Sequence, residues 1–324
     1  MIPTISFQTS ARFGLWLWVP TVLFTVSRQT ILLEFIQGIV LWAVLILVPI
    51  GLWLIQSLKQ DQNRLLDSIK PLILAAGLLS AVSFALPPGA AAGILQFPWW
   101  LVTGVVAFSG LKDFLKNPFA SRWQTSLAVA QGYLFVGGCW LLADRLGMNV
   151  LHFSQEIILL TGMHFHYAGF TTTLLAALVG RQFQQTGRMN SAQIHWGYWL
   201  VTLGVTVATP IIAIGITAVP LLEVIGAVFL AVSLMVMGLL MGLEIAPQFK
   251  QPAKTFLWIS AGTSFFSMTM AILYGFSEFY ELKAIEIPFM VITHGLANTM
   301  GFATCGLMAF YLSRNTQAGE SLQS

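Results

Sequence analysis

Nine apolar runs of about 20 residues follow one another along this chain, each long enough to cross a bilayer as a helix. They cover approximately 34–56, 71–92, 97–117, 125–143, 157–180, 194–217, 220–244, 254–277 and 287–313. The runs are unbroken and do not alternate polar with apolar, so they spell helices and not the strands of a membrane barrel. Composition agrees: 8% of the 324 residues are charged and mean hydropathy is +0.80. Soluble domains carry about 25% charged residues, which excludes a soluble globular fold. The expected fold is therefore all-α, a polytopic transmembrane helix bundle of nine spans, or ten if Phe13–Val26 also crosses. That stretch is short and holds Trp16, Trp18 and Pro20. It reads as an interfacial helix, a tenth span or an uncleaved signal-anchor, since no small-residue cleavage site follows it. The expected organisation is an N-terminal interfacial or signal-anchor segment (1–33), a single helical bundle (34–315) and a short polar tail (316–324).

The basic residues orient the bundle. Lys59, Arg64, Lys70, Lys112, Lys116, Arg122, Arg181, Arg188, Lys250, Lys254 and Arg314 fall on one side of the nine spans; Arg12, Arg28, Arg145 and Lys283 fall on the other. By the positive-inside rule the first side is cytoplasmic, which puts the C-terminus inside; the expected location is the inner cell membrane, with multiple passes. The opposite side collects Glu34, Asp144, Glu156, Glu223, Glu278, Glu281 and Glu286. The bases are few and sit between spans, so the pI near 9.0 reflects topology and not nucleic-acid binding. The partners expected are membrane lipids and a hydrophobic small-molecule substrate. Cys139 and Cys305 lie far apart inside apolar spans and read as buried, unreactive thiols. Pro87-Pro88-Gly89 reads either as a break near the outer end of the second span or, more simply, as a turn between neighbouring spans.

Two polar motifs interrupt this apolar background. Span five carries Thr161-Gly-Met-His-Phe-His-Tyr-Ala-Gly-Phe170, and intramembrane ionisable groups are costly enough to mark function by default. Helical spacing puts Gly162, His166, Gly169 and Thr173 on one small-residue packing stripe. His164 lies about 200° around from His166, so on a regular helix the two imidazoles cannot share a metal. Span nine carries Thr293-His-Gly-Leu-Ala-Asn-Thr-Met-Gly-Phe302, with His294, Asn298, Gly301 and Cys305 on one stripe. Aligning Gly169-Phe170 with Gly301-Phe302 sets Asn298 level with His166. His164 and His294 then lie roughly 10 Å below the outer interface, which predicts a single site shared by the two spans.

A cavity open to the outer side would combine His164, His166 and His294 with Glu223, Tyr167 and Asn298. Two chemistries suit that set. The three histidines could hold a divalent metal, Zn or Fe, with an open position for water or substrate; haem between opposed imidazoles is a variant. Alternatively, a histidine and a carboxylate could serve as general base and acid. The plain alternative is that each histidine hydrogen-bonds a neighbouring helix, worth about 1 kcal/mol. His195, beside Trp196 and Tyr198, reads as part of an interfacial aromatic belt, His152 as a solvated loop residue, Glu244 as a snorkelling carboxylate and Trp99-Trp100 as an interface anchor.

His164-Phe-His-Tyr-Ala-Gly-Phe170, His294-Gly-Leu-Ala-Asn298 with Gly301-Phe302, and Pro49-Ile-Gly-Leu52 are similar to the YndJ-like family of bacterial polytopic membrane proteins. The resemblance implies the same helical-bundle fold and points to the same histidines. The function expected first is a membrane-embedded enzyme acting on a lipid or isoprenoid by hydrolysis, hydration, isomerisation or cyclisation. A small-solute or proton-coupled transporter is the alternative, and a membrane sensing or assembly protein a third. Transport predicts a polar path to both faces, and below the histidine layer the spans hold mainly glycine, threonine and aliphatic residues.

Overall fold

In a computed structural model the described residues are 6–25, 31–59, 63–282 and 284–321. Arg28 and Lys283, both assigned above to the outer side, lie outside them, as do residues 322–324 of the tail. The described residues form helices and no strands. In chain order these are α1 (Phe7–Thr25), α2 (Leu32–Leu58), α3 (Arg64–Ile69), α4 (Ile73–Ser83), α5 (Ala90–Lys116) and α6 (Arg122–Leu146). They continue with α7 (155–185), α8 (Ala192–Ala218), α9 (Pro220–Gln248), α10 (Ala253–Phe279) and α11 (287–321). Among them α2, α5, α6, α8, α9 and α10 are long and apolar enough to cross a membrane, and they fall on six of the nine expected spans. Spans five and nine lie within α7 and α11, whose histidine, threonine and asparagine residues make them less apolar.

Span two is a correction. Instead of one crossing over 71–92, α4 stops after 11 residues, about 16 Å, which is short of the ~30 Å hydrocarbon core. Pro87-Pro88-Gly89 is the turn that follows, and α5 begins at Ala90, earlier than the expected start at 97. Gly89 takes φ 155°, a conformation that side-chain-bearing residues rarely adopt.

The chain divides into two compact units, Met1–Pro118 with Leu127–Thr171, and Phe119–Ser126 with Thr172–Ser324. In the first, α2 is the enclosed helix: 89% of its apolar window is buried, against 33–50% in the other five crossing helices. The N-terminal stretch is a helix docked on it. Gly14 meets the Leu45 carbonyl where a Cβ would collide, and the Trp18 indole donates to Gly38 O at 2.9 Å. At the basic end Lys59 pairs with Asp113, and Asn63 Nδ2 donates to Ser109 Oγ at 2.7 Å while its own Oδ1 caps α3.

The other end of this unit overturns the reading of Asp144 and Arg145 as surface charges. Both side chains are buried, 1% and 2% exposed, and they pair at 2.8 Å. Arg145 Nη1 donates to Leu86 O and to Ser83 O, each at 3.2 Å; Ser83 O also accepts from the Leu86 N–H, so Arg145 closes the turn where α4 ends. Gln155 Nε2 donates to Asp144 Oδ1 at 2.6 Å and ties in the start of α7.

The second unit packs through small residues and hydroxyls, the usual means by which membrane helices approach closely. Gly180 makes room for Tyr198, whose hydroxyl donates to Ala176 O at 3.1 Å, and Ser260 Oγ donates to Phe302 O at 2.7 Å. Cys305 is buried and free, whereas Cys139 in the first unit is only half-buried. Glu244 is not simply snorkelling, because Arg188 pairs with it.

Arg145→Met would strand the buried Asp144 carboxylate and the Leu86 carbonyl, so it should lower stability by about 3–5 kcal/mol. Thermal unfolding in detergent measures this. The double variant Asp144→Asn/Arg145→Met should recover part of the loss, because no uncompensated charge remains.

Candidate functional site

A wide helical turn passes through each polar motif. Phe165–Thr171 in α7 and Ala297–Thr304 in α11 are π-helical, with one residue more per turn than an α-helix. The two Gly-Phe pairs aligned above, Gly169-Phe170 and Gly301-Phe302, fall inside these segments. A wide turn loosens the i→i+4 ladder, and here a threonine five residues on closes each gap. Thr171 Oγ1 donates to His166 O at 2.9 Å, and Thr304 Oγ1 donates to Thr299 O at 2.6 Å. Gly204–Ala208, Leu240–Ile245 and Ala43–Leu47 are π-helical as well, so the wide turn marks the motifs without being peculiar to them.

The two imidazoles of α7 part company at this turn. His166 is fully buried against α6, where a Cβ on Gly137 would stand 2.7 Å from its Nδ1. The Trp99 indole N–H can only donate, and it reaches His166 Nε2 at 3.2 Å. Nε2 must therefore be the acceptor, so Nδ1 carries the proton and donates to Gly162 O at 2.7 Å. The rings lie nearly parallel, with centroids 6.1 Å apart. His166 is thus a neutral imidazole with both nitrogens engaged inside the first unit.

His164 is exposed. Its Nδ1 lies 2.9 Å from Leu160 O, one turn back, so that nitrogen donates and the tautomer is fixed. Among the described residues nothing engages Nε2, whose lone pair points away from the helix backbone. Tyr167 is buried and donates to Ile39 O at 2.8 Å, which fastens α7 to α2.

In the second unit His294 is half-buried. Its Nδ1 is 2.8 Å from Ser267 O and 3.1 Å from Ser267 Oγ, and Asn298 Nδ2 is 2.8 Å from its Nε2. With Nδ1 donating to the carbonyl, Nε2 accepts from the Asn298 amide. Glu223 at the start of α9 is half-buried and interacts with Glu278 and Tyr274 of α10. Among the described residues it makes no hydrogen bond to His294.

These contacts bear on the three-histidine metal set. Among the described residues no three histidine, cysteine, aspartate or glutamate side chains gather as metal ligands. The lone pairs of His166 and His294 already accept from Trp99 and Asn298, so neither offers a ligand without breaking a hydrogen bond. The donor set does not fit the metal as drawn. His152 is exposed, and His195 meets the Arg122 guanidinium at 3.1 Å beside exposed Trp196.

Trp99 is the residue that sequence reasoning misplaced. It is buried and bonded to His166, not an interface anchor. The signal was present in α5, where Gln96, Trp99 and Thr103 recur at helical spacing; Gln96 Oε1 accepts from Ser80 Oγ at 2.6 Å.

Long apolar helices with a buried polar interior define a multi-pass integral membrane protein. The family model for YndJ-like protein matches residues 38–302, ending on the last residue of the second motif, and the chain belongs to that family. It is 28% identical over 206 residues to "Uncharacterized membrane protein YndJ" of Bacillus subtilis (strain 168), which covers 63% of this chain and 35% of that protein. The matched region thus spans about a third of that relative's length. No solved structure matches the chain.

Trp99→Phe should leave His166 Nε2 buried without a donor and cost about 1–3 kcal/mol. Trp100→Phe removes only a weak indole–thiol contact to Cys139, 3.3 Å, and should cost less. Denaturation of the two variants side by side checks the order.

Proposed function

We propose that this protein is a membrane-embedded enzyme that moves a proton on a lipophilic small molecule, a lipid or isoprenoid, with His164 Nε2 as the base. The observation that carries the reading is the open lone pair of an imidazole whose other nitrogen is fixed as a donor to Leu160 O. A base needs that state: neutral, in one tautomer, and reachable. His164 lies nine residues into α7, roughly 14 Å along its axis, a depth suited to substrates dissolved in the bilayer. Its exposure lets such a substrate arrive laterally, without a water-filled entrance. Isomerisation, cyclisation, hydration and hydrolysis all include a proton transfer that one imidazole can perform.

His166, Tyr167 and Trp99 act as the support. Their hydrogen bonds hold the wide turn against α2 and α5, Gly137 lets it pack closely on α6, and together these contacts support the neighbouring His164 ring. The acid–base variant is favoured over the metal one because His166 and His294 have both ring nitrogens occupied.

Incubation of the purified protein in D2O with a polar lipid extract, followed by mass spectrometry, tests the proposal. Wild type should place deuterium in, or convert, a discrete lipid species. His164→Gln should slow this about 10²–10⁴-fold, the usual contribution of a general base, without altering the melting temperature. Turnover unchanged in His164→Gln, or solute uptake by proteoliposomes that depends on His164, would overturn it.

A further inference from the structure

An apolar groove of about 290 Å³ runs along the outside of the first unit. Trp100, Leu101, Val105 and Phe108 of α5 line it, with Phe135 of α6 opposite and Leu65 of α3 at one end. Gly104 forms its floor: a Cβ there would stand 3.4 Å from the Phe135 ring, so a longer side chain would fill the depression. Apolar surface is ordinary on a membrane protein. What distinguishes this groove is what its stripe runs into. The positions 100, 104 and 108 continue at the same spacing to Lys112 and then Lys116, both exposed.

The other wall brings a third cation to the same end. Leu65 follows Arg64, and Asn63 before it is bonded to Ser109, one turn from Lys112. Arg64 is exposed. Of the acids described here, Asp113 is taken by Lys59 and Asp67 by Lys70 and Gln56. Arg64, Lys112 and Lys116 therefore have no carboxylate partner among the described residues. Burial pushes the Lys59 ammonium down, Asp113 raises it, and the charge of Lys116 lowers it further, so this end already carries repulsion between cations.

We infer that this groove binds an anionic phospholipid, one acyl chain lying along α5 between Trp100 and Phe108 and the headgroup phosphate resting on Arg64, Lys112 and Lys116. From Trp100 to Phe108 the helix rises roughly 12 Å, enough to seat the upper part of one chain. Unpaired bases at the membrane surface attract anionic headgroups, and each contributes about a fivefold gain in affinity. The site is separate from His164 and does not depend on the proton-transfer proposal. Its charged residues sit at the aqueous edge, where their removal leaves the buried packing intact.

Native mass spectrometry of the full chain, extracted from vesicles of equal phosphatidylglycerol and phosphatidylcholine, tests it. Wild type should retain phosphatidylglycerol preferentially. Arg64→Gln/Lys112→Gln should weaken that retention roughly 25-fold and leave phosphatidylcholine unchanged. Gly104→Leu, which fills the groove and spares the charges, should weaken phosphatidylglycerol retention as well, and inorganic phosphate should not displace the lipid. Equal retention of the two lipids by wild type, retention indifferent to the double substitution, displacement by phosphate alone, or a lipid-free dimer abolished by Gly104→Leu would each overturn the inference.

Discussion

In a bilayer core a polar group that water cannot reach must find its partner inside the protein, and the wide turn of α7 leaves two neighbouring imidazoles to meet that demand differently. His166 turns inward and is consumed by Trp99 and Gly162 O. His164 turns outward, satisfies one nitrogen on its own helix and keeps the other open. Much of the first unit is organised around the inward ring. Trp99 reaches it from α5, Gly137 clears space for it on α6, and Tyr167 beside it bonds α2. The motif of span five thus holds one inward imidazole with both nitrogens bonded and, two residues away on another face, an exposed imidazole with one nitrogen bonded.

The same economy of partners recurs at the ends of the first unit. Arg145 bonds the turn where α4 stops, and Asp144 neutralises it. At the basic end Asp113 and Asp67 are matched to lysines, and among the described residues Arg64, Lys112 and Lys116 have no carboxylate partner. A buried ion pair thus lies at one end of the unit and exposed cations at the other.

The helical class was legible because it follows from composition and run length alone. Six helices long and apolar enough to cross a membrane fall on expected spans for the same reason. Pro87-Pro88-Gly89 was legible as a break or turn at the end of span two, but not that α4 already stops at Ser83 and so stays short. Asp144 and Arg145 were counted as loop charges because a residue at a span's edge gives no sign that its partners are backbone carbonyls from a neighbouring turn. The faces of His164 and His166 were predictable from helical periodicity, whereas the π-helical turns that hold both Gly-Phe pairs left no sign in the spacing. What sequence could not supply was the partner of each ring nitrogen. Trp99 is 67 residues from His166, and only the packing of α5 on α7 makes its indole the donor that removes His166 from the candidate ligands.

The two imidazoles of α7 differ in whether the Nε2 lone pair is free. Histidine-selective ¹⁵N NMR of the protein in lipid bilayers, assigned with His164→Gln, reads it directly. Both rings should appear as the Nδ1–H tautomer, with His166 Nε2 showing the shift of an acceptor bonded to the Trp99 indole and losing it in Trp99→Phe. His164 Nε2 should show no such shift and no response to that substitution. An Nε2–H tautomer at His166, or a hydrogen-bonded Nε2 at His164, would contradict the account.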